Sequence, residues 1–529
     1  MARNLRFQSP SLISQSLSRI NKFVAGLSVA NPSSSEPLLG IGFSAIGLSA
    51  IRVATIGLAT VGIATIGCSG PITKAPVDLV AAVAAQTTTA QTTTAEPTTT
   101  QPTGPTTTNG ETGEAPEPAN AQPQDPAKTK PDAKPATEKP AAAKPAADAK
   151  PAEAPLDESI DVDALLAARL GTDDLDLGWI RLFDGQSLLG WKSTSNANWK
   201  VENSEIVATE GDAGFLMTEV RFSDYEIELE FFAEDNTNSG VFLRTSDNPE
   251  DPAKDCYELN IAPTDNPFPT GSLVARAKVS EQVDEPVGQE WHSLHALVDQ
   301  GHIQCWVNGQ QSVDYNDTTG LSAGKIGLQF REGKIRFRNI RIRPIGYSVL
   351  PNANKSDWNE PAGAIEATFS DAGTILLKGG RGHIELLQPH ANMCLQATAL
   401  TLTENVNSGI FFRCIPGEDM NGYECQIHHG FKDDRRRAVD AGSGSIFRRQ
   451  NAKAVLSDEG KPVHITIVAD GPTFATWVEG VPVVLWTDTR AANDNPRKGL
   501  RTEAGTIMLQ GHDPGSQTEF KSLTICPLP

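Results

Sequence analysis

The chain of 529 residues carries 45 Lys and Arg against 65 Asp and Glu, a formal net charge of -20. Such an excess of negative charge excludes a phosphate-backbone partner, which needs a basic surface, so no nucleic-acid ligand is expected. The length leaves room for two or three domains, each able to bury a core of its own.

Residues 1–68 read as a leader and signal peptide. Val53 to Gly67 is uncharged and small or apolar, follows Arg52 and runs directly into Cys68. At about fifteen residues it is shorter than the ~20 that a spanning helix needs, but it suits the core of a signal peptide. Gly67-Cys68 resembles the end of a bacterial lipobox, although Thr65 stands where Leu is usual. The expectation is lipid attachment at Cys68 and an exported, membrane-anchored lipoprotein facing the periplasm or the cell surface. An ordinary cleaved signal or a retained anchor is the alternative. Residues 69–158 are rich in Thr, then in Pro, Ala and Lys, with almost nothing to bury, and read as a disordered tether. Residues 159–175 carry a capping Ser159, an acidic first turn and apolar helical spacing, so a short helix is expected to end the linker.

Beyond residue 175 the chain writes one polar ladder twice. Asn238-Ser-Gly-Val-Phe-Leu-Arg244, Tyr257-Glu-Leu-Asn260 and Gly324-Lys-Ile-Gly-Leu-Gln329 recur in order as Asn407-Ser-Gly-Ile-Phe-Phe-Arg413, Tyr423-Glu-Cys-Gln426 and Gly505-Thr-Ile-Met-Leu-Gln510. Each half also carries a Trp strand and turn, at Cys305 to Gly309 and Thr476 to Gly480. This is a tandem duplication, with a first domain at 176–347 and a second at 348–529. Short runs rich in Val, Ile, Phe and Thr between Gly, Asn and Asp turns predict an all-β class, two tandem antiparallel sandwiches. A second half begun near Ser348 is expected to fold alone.

Side chains alternate along a strand, so a period-two reading sorts each ladder into faces. In the second copy Asn407 and Arg413 share a face, as do Glu424, Gln426 and His428, and Gln510 with His512. The first copy offers Asn238 with Arg244, Glu258 with Asn260, and Gln329, but Ala262 stands in place of His428 and Arg331 in place of His512. Imidazoles move protons near neutral pH, so the second domain is the candidate catalytic half and the first a degenerate copy. A cross-strand Glu424–Arg413 ion pair that only organises the sheet is the structural alternative. Trp477 and Phe411 read as core, His429 as facing away from His428, and Arg435 to Arg437 as a solvated loop. Of the seven cysteines, Cys414 and Cys425 flank a hairpin loop and read either as a disulfide or as two buried free thiols. No spacing suits a structural zinc.

Leu182-Phe-Asp-Gly-Gln-Ser-Leu-Leu-Gly-Trp191, Asn238 to Arg244 and Phe337-Arg-Asn-Ile-Arg-Ile342 resemble the 3-keto-disaccharide hydrolase domain family. The second half resembles a distinct subgroup, through Asn407 to Cys414, Asn421 to Ile427, Ile446 to Gln450, Asn495 to Arg501 and Gly505 to Pro514. The resemblance implies concanavalin A-like jelly rolls and an exported glycoside-active protein. It would cleave 3-keto-glycosides by hydrolysis, or by elimination and hydration. A non-catalytic glycan-binding or cell-surface scaffold module is the alternative. The C3 ketone acidifies the C2 hydrogen, so the chemistry asks for a base near C2, a donor at the ketone oxygen and an acid at the leaving oxygen. Among the second-domain residues, His428, His512 or Glu424 supplies the base and Arg413 or Arg448 polarises the ketone. Gln426, Gln510, Asn407 and Asp513 hold the sugar. No cofactor is assigned; His428, His512 and Asp513 as ligands to a divalent metal remain an open reading. The expected partners are carbohydrate and, through the lipid, a membrane.

Overall fold

The computed structural model describes residues 157–279, 290–349 and 355–529. The leader, Cys68 and the linker up to residue 156 lie outside the described residues. The described chain opens on two short helices, α1 (Val162–Ala167) and α2 (Thr172–Asp176). Asp161 caps α1 by accepting from Ala164 N–H, in place of the expected Ser159, whose hydroxyl instead donates to Asp157. Among the described residues no helix is long and apolar enough to cross a membrane.

The first copy is built from β1 (Ile180–Arg181), β2 (Trp191–Ser193), β3 (Lys200–Glu202), β4 (Glu205–Ala208), β5 (Gly214–Thr218), β6 (Tyr225–Ala233) and β7 (Asn238–Thr245). It continues with β8 (Tyr257–Ile261), β9 (His292–Asp299), β10 (His302–Val307), β11 (Gln310–Asn316), β12 (Lys325–Glu332) and β13 (Ile335–Pro344). One sheet runs β11-β10-β9-β6-β13-β4-β3 with β1 beside β13, and the other runs β2-β5-β12-β7-β8. Strand β6, Tyr-Glu-Ile-Glu-Leu-Glu-Phe-Phe-Ala, alternates buried and half-buried positions along its whole length. Its apolar row enters the core with Val241, Leu243, Leu259 and Leu328 of the other sheet, as a sandwich requires. Its acidic row faces outward, where Glu226, Glu228 and Glu230 pair with Arg343, Arg341 and Arg338 of β13.

The second copy follows with β14 (Ser348–Val349), β15 (Ala362–Phe369), β16 (Ile375–His390), β17 (Met393–Thr401), β18 (Ser408–Cys414) and β19 (Tyr423–Ile427). After a long loop come β20 (Val463–Asp470), β21 (Thr473–Val478), β22 (Val481–Thr487), β23 (Gly505–Gly511) and β24 (Ser516–Pro527). These form one curled sheet, β19-β18-β23-β16-β24-β17-β20-β21-β22, in which the 16-residue β16 pairs with β23 at one end and β24 at the other. Both copies are therefore jelly-roll sandwiches in tandem.

The copies are joined by an apolar surface. Cys394, Val468, Ala475, Trp477, Cys526 and Leu528 of the second copy belong to the same buried cluster as the first copy's core. Trp477 Nε1 donates to Arg181 O at 2.7 Å, and Arg221 forms an ion pair with Asp470. Asp184, from the Phe-Asp-Gly block, accepts from the backbone of Gln186 and Ser187 and receives Lys453 Nζ at 2.5 Å. That motif closes a turn and ties the two copies together. A second half cut free near Ser348 would expose this surface, which qualifies the expectation of independent folding.

Candidate functional site

The register of four strands builds one polar face in the second copy. Gly409 of β18 lies opposite both Gln426 of β19 and Gln510 of β23, and Gln510 lies opposite His383 of β16. One row further, Phe411 faces Glu424 and Met508, and Met508 faces Glu385. Residues opposite one another in a ladder share a face, so Gln426, Gln510 and His383 form one row and Glu424 and Glu385 the next. Asn407, His428 and His512 stand just beyond the ladder ends, at the rim. Strands β18, β19 and β23 are buried at every position, so this face is roofed rather than open.

At the floor, Gln426 Oε1 and Gln510 Oε1 are both buried and have no hydrogen-bond partner. Gln426 Nε2 reaches Asp440 O at 3.2 Å and Asn407 Oδ1 at 3.4 Å, and Asn407 Nδ2 reaches Asp440 Oδ2 at 3.4 Å. Gly409 admits the close approach of Glu424, since a Cβ there would lie 3.2 Å from Cys425 O and 3.3 Å from Glu424 Oε1. Glu424 takes Arg497 Nη2 at 3.1 Å; burial pushes its carboxyl up, against the pull of Arg497. Buried amide oxygens without protein donors call for a partner, which water or a hydroxyl-bearing ligand can supply.

The two rim imidazoles are held in opposite senses. Gly430 N–H donates to His428 Nδ1 at 3.0 Å, so the proton of the neutral ring sits on Nε2, which faces Asp440 Oδ2 at 3.9 Å. His512 Nδ1 donates to Asp513 Oδ1 at 2.8 Å, which leaves Nε2 with a free lone pair. His428 thus offers a donor and His512 an acceptor. His512 and Asp513 are half-exposed, whereas His428 is buried.

Period-two counting misplaces Arg413. The β18–β23 register shifts between Phe411 and Cys414, and Arg413 takes a left-handed φ of 49°. This bulge swings the guanidinium off the polar face. There Nε donates to Ala391 O at 2.9 Å and Nη1 to Gly471 O at 2.6 Å and Arg501 O at 3.0 Å, while Nη2 reaches Asn392 Oδ1 at 3.1 Å. Arg413 is a fully buried framework residue and no electrophile. Arg244 repeats the device in the first copy, with φ 48° and donors to Ser223 O and Leu321 O. The glycine that opens the third motif block explains itself here: a Cβ on Gly505 or Gly324 would lie 2.3 Å from the bulged backbone.

Other expectations also change. The ion-pair partner of Glu424 is Arg497, not Arg413. Its signal lay in the Asn495 to Arg501 block. Arg448 sits exposed at a tight Ile446–Gln450 turn with a φ of 61°, close enough to Glu424 to favour its carboxylate. Cys414 and Cys425 are free thiols in separate apolar clusters, so no disulfide joins them. His428, His512 and Asp513 do not bring their ligand atoms together. Among the described residues only Glu226, Glu228 and His295 converge within 4.8 Å, and both carboxylates are already paired with arginines. His429 turns inward to Ser457 Oγ at 2.8 Å, where burial lowers its pKa to about 4.

Sequence reading missed two residues of the face, His383 and Glu385. Both line a cavity of about 700 Å³ with Arg381, Asn359, Gly417 and Asp419. His383 is buried with Nδ1 unpartnered, 3.6 Å from Asp419, and burial lowers its pKa. Glu385 accepts from Thr506 Oγ1 at 2.6 Å, Asn359 Nδ2 at 2.8 Å and Gly417 N–H at 3.1 Å. Their strand has no motif counterpart in the first copy, so only the pairing with β23 places them.

In the first copy the same register puts Gly240 opposite Asn260 and Gln329, Gln329 opposite Phe215, and Phe242 opposite Glu258. Met217 and Phe215 hold the positions of Glu385 and His383.

A family model described as a 3-keto-alpha-glucoside-1,2-lyase-like domain matches residues 178–343 and again 349–526, together more than half of the chain. No curated protein matches the chain. Among solved structures, a candidate glycosyl hydrolase from Parabacteroides distasonis is 22% identical, with 34% of this chain and 99% of that one covered and a TM-score of 0.31. The carbohydrate binding module CBM66 from Bacillus subtilis is 17% identical over 29% of this chain and 96% of that one, with a TM-score of 0.24. A Bacillus subtilis protein of unknown function with a galectin-like fold is 14% identical over 33% and 92%, with a TM-score of 0.22.

Proposed function

Because the chain belongs to the 3-keto-alpha-glucoside-1,2-lyase-like domain family, we propose that its second copy cleaves 3-keto-glycosides by elimination followed by hydration. The observation that carries the reading is the opposed hydrogen bonding of His428 and His512 over two unpartnered glutamine oxygens. His512 Nε2, freed by Asp513, removes the C2 proton. His428 Nε2–H donates to the ketone oxygen, where negative charge gathers as the C2–H bond breaks. The electron pair then forms the C1=C2 bond and expels the leaving oxygen from C1. Glu424, its carboxyl pushed up by burial, protonates that oxygen. Water adds at C1, a proton returns to C2, and the 3-keto sugar is released. Gln426 and Gln510 accept from sugar hydroxyls at the floor. His383 and Glu385 extend the face into the adjoining cavity, with room for the group that leaves.

Incubating the purified chain with a 3-keto-disaccharide in D2O tests this reading. The expected result is released monosaccharide bearing deuterium at C2. An unchanged disaccharide, or release with no deuterium at C2, refutes it.

We further propose that lipid on Cys68 holds this module at a membrane, as the Gly67-Cys68 pattern suggests. Cys68→Ala should then move the protein from the membrane fraction to the soluble one. Unchanged membrane association would speak for a retained anchor instead.

A further inference from the structure

The first copy lacks the imidazoles but keeps the floor. Gln329 is 8% exposed, and its Oε1 is buried without a partner. Beside it Glu258, 7% exposed, receives only Gln329 Nε2 at a long 3.4 Å. Burial pushes the Glu258 carboxyl up to about 6, against the pull of the Gln329 amide and of Arg331. A Cβ on Gly240 would lie 3.2 Å from Leu259 O, 3.6 Å from Glu258 Cγ and 3.7 Å from Gln329 Oε1, so a methyl there would take up the space between the two acceptors. In the same row stands Phe215, half-buried and packed edge-on against Phe242 at 4.6 Å. Acceptors without protein donors, set beside a half-buried aromatic ring, suit a ligand with hydroxyls around its rim and C–H groups on its face.

We propose that this face is a second carbohydrate site, one that binds a neutral, hydroxyl-rich sugar ring through Gln329 and Glu258 without turning it over. The site rests on the carbohydrate reading of the family but not on catalysis in the second copy. The first copy therefore holds glycan while the second cleaves it, the two being tied by the Lys453–Asp184 pair.

Calorimetric titration of the whole chain with methyl glucosides, methyl galactosides and maltose tests the site, with turnover of a 3-keto-disaccharide followed in parallel. Gln329→Leu removes the open acceptor, and Gly240→Ala takes up the space between the acceptors while keeping every polar group. Each should weaken one class of sugar binding by roughly tenfold, the effect of one lost hydrogen bond in a buried site, and leave turnover unchanged. Gln510→Leu should do the reverse, impairing turnover and leaving first-copy binding intact. The proposal falls if both first-copy variants bind every sugar as the parent does. It falls equally if the Gln510→Leu chain binds no sugar of the panel. Loss of turnover in the parent would refute the proposed function and leave this site standing.

Discussion

The two copies share their framework and differ in their chemistry. Each has a bulged, positive-φ arginine tied into backbone carbonyls, a glycine that admits the bulge, and a Glu and Gln flanking a glycine. Against that sameness, four positions on one face change: Ala262, Arg331, Phe215 and Met217 in the first copy stand where His428, His512, His383 and Glu385 stand in the second. The repeated motif is thus mainly a folding instruction. The imidazoles of the second copy stand at positions the motif does not include.

The largest expected break between the copies is catalytic. His512→Ala and His428→Ala should each lower turnover of a 3-keto-glycoside by ~100-fold to 10,000-fold, the contribution of a positioned acid, base or electrophile. Glu258→Gln and Arg331→Ala should leave the rate within about twofold, since a site bound to sugar only at its floor contributes no proton transfer. Asp513→Asn sharpens the assignment: by loosening the His512 tautomer it should lower kcat more than it raises KM, and full activity would remove His512 as the base.

Next in size is a change the copies should feel alike. Arg413→Ala strips one donor or more from each of four acceptors in a buried site, and about 3 to 5 kcal/mol of stability should be lost in denaturant unfolding. Arg244→Ala should cost a similar amount. A stable Arg413→Ala chain with lost turnover would instead return this residue to the reaction.

The smallest effect separates the copies by pH. The Glu258 carboxyl rises from its ordinary 4.5 to about 6 in the folded chain, so between those values the folded state holds a proton that the unfolded state has released. Its contribution is fully present below pH 4.5 and is lost as pH rises through 6, a fall of about 2 kcal/mol at ~1.4 kcal/mol per unit. Glu258→Gln should flatten that slope in urea titrations. Glu424 is raised in the same direction but restrained by Arg497, so Glu424→Gln should flatten it less. Equal effects from the two substitutions would mean that Arg497 does not hold its partner in solution.

Much was legible in the residues alone. Alternating strands, the duplication and the placement of Glu424, Gln426, Gln510, His428 and His512 around one face follow from order and period two, and the family from the resemblance of the motif blocks. Local pattern carries that information because a strand fixes the side of every residue on it. The tertiary structure decided the rest. A bulge breaks the period at Arg413 and turns a candidate electrophile into framework, and no spacing announces a bulge. His383 and Glu385 join the face through the pairing of β16 with β23, a contact between segments more than 120 residues apart along the sequence. The ring tautomers of His428 and His512 depend on a backbone N–H and on a neighbouring carboxylate, whose positions only the folded loops determine.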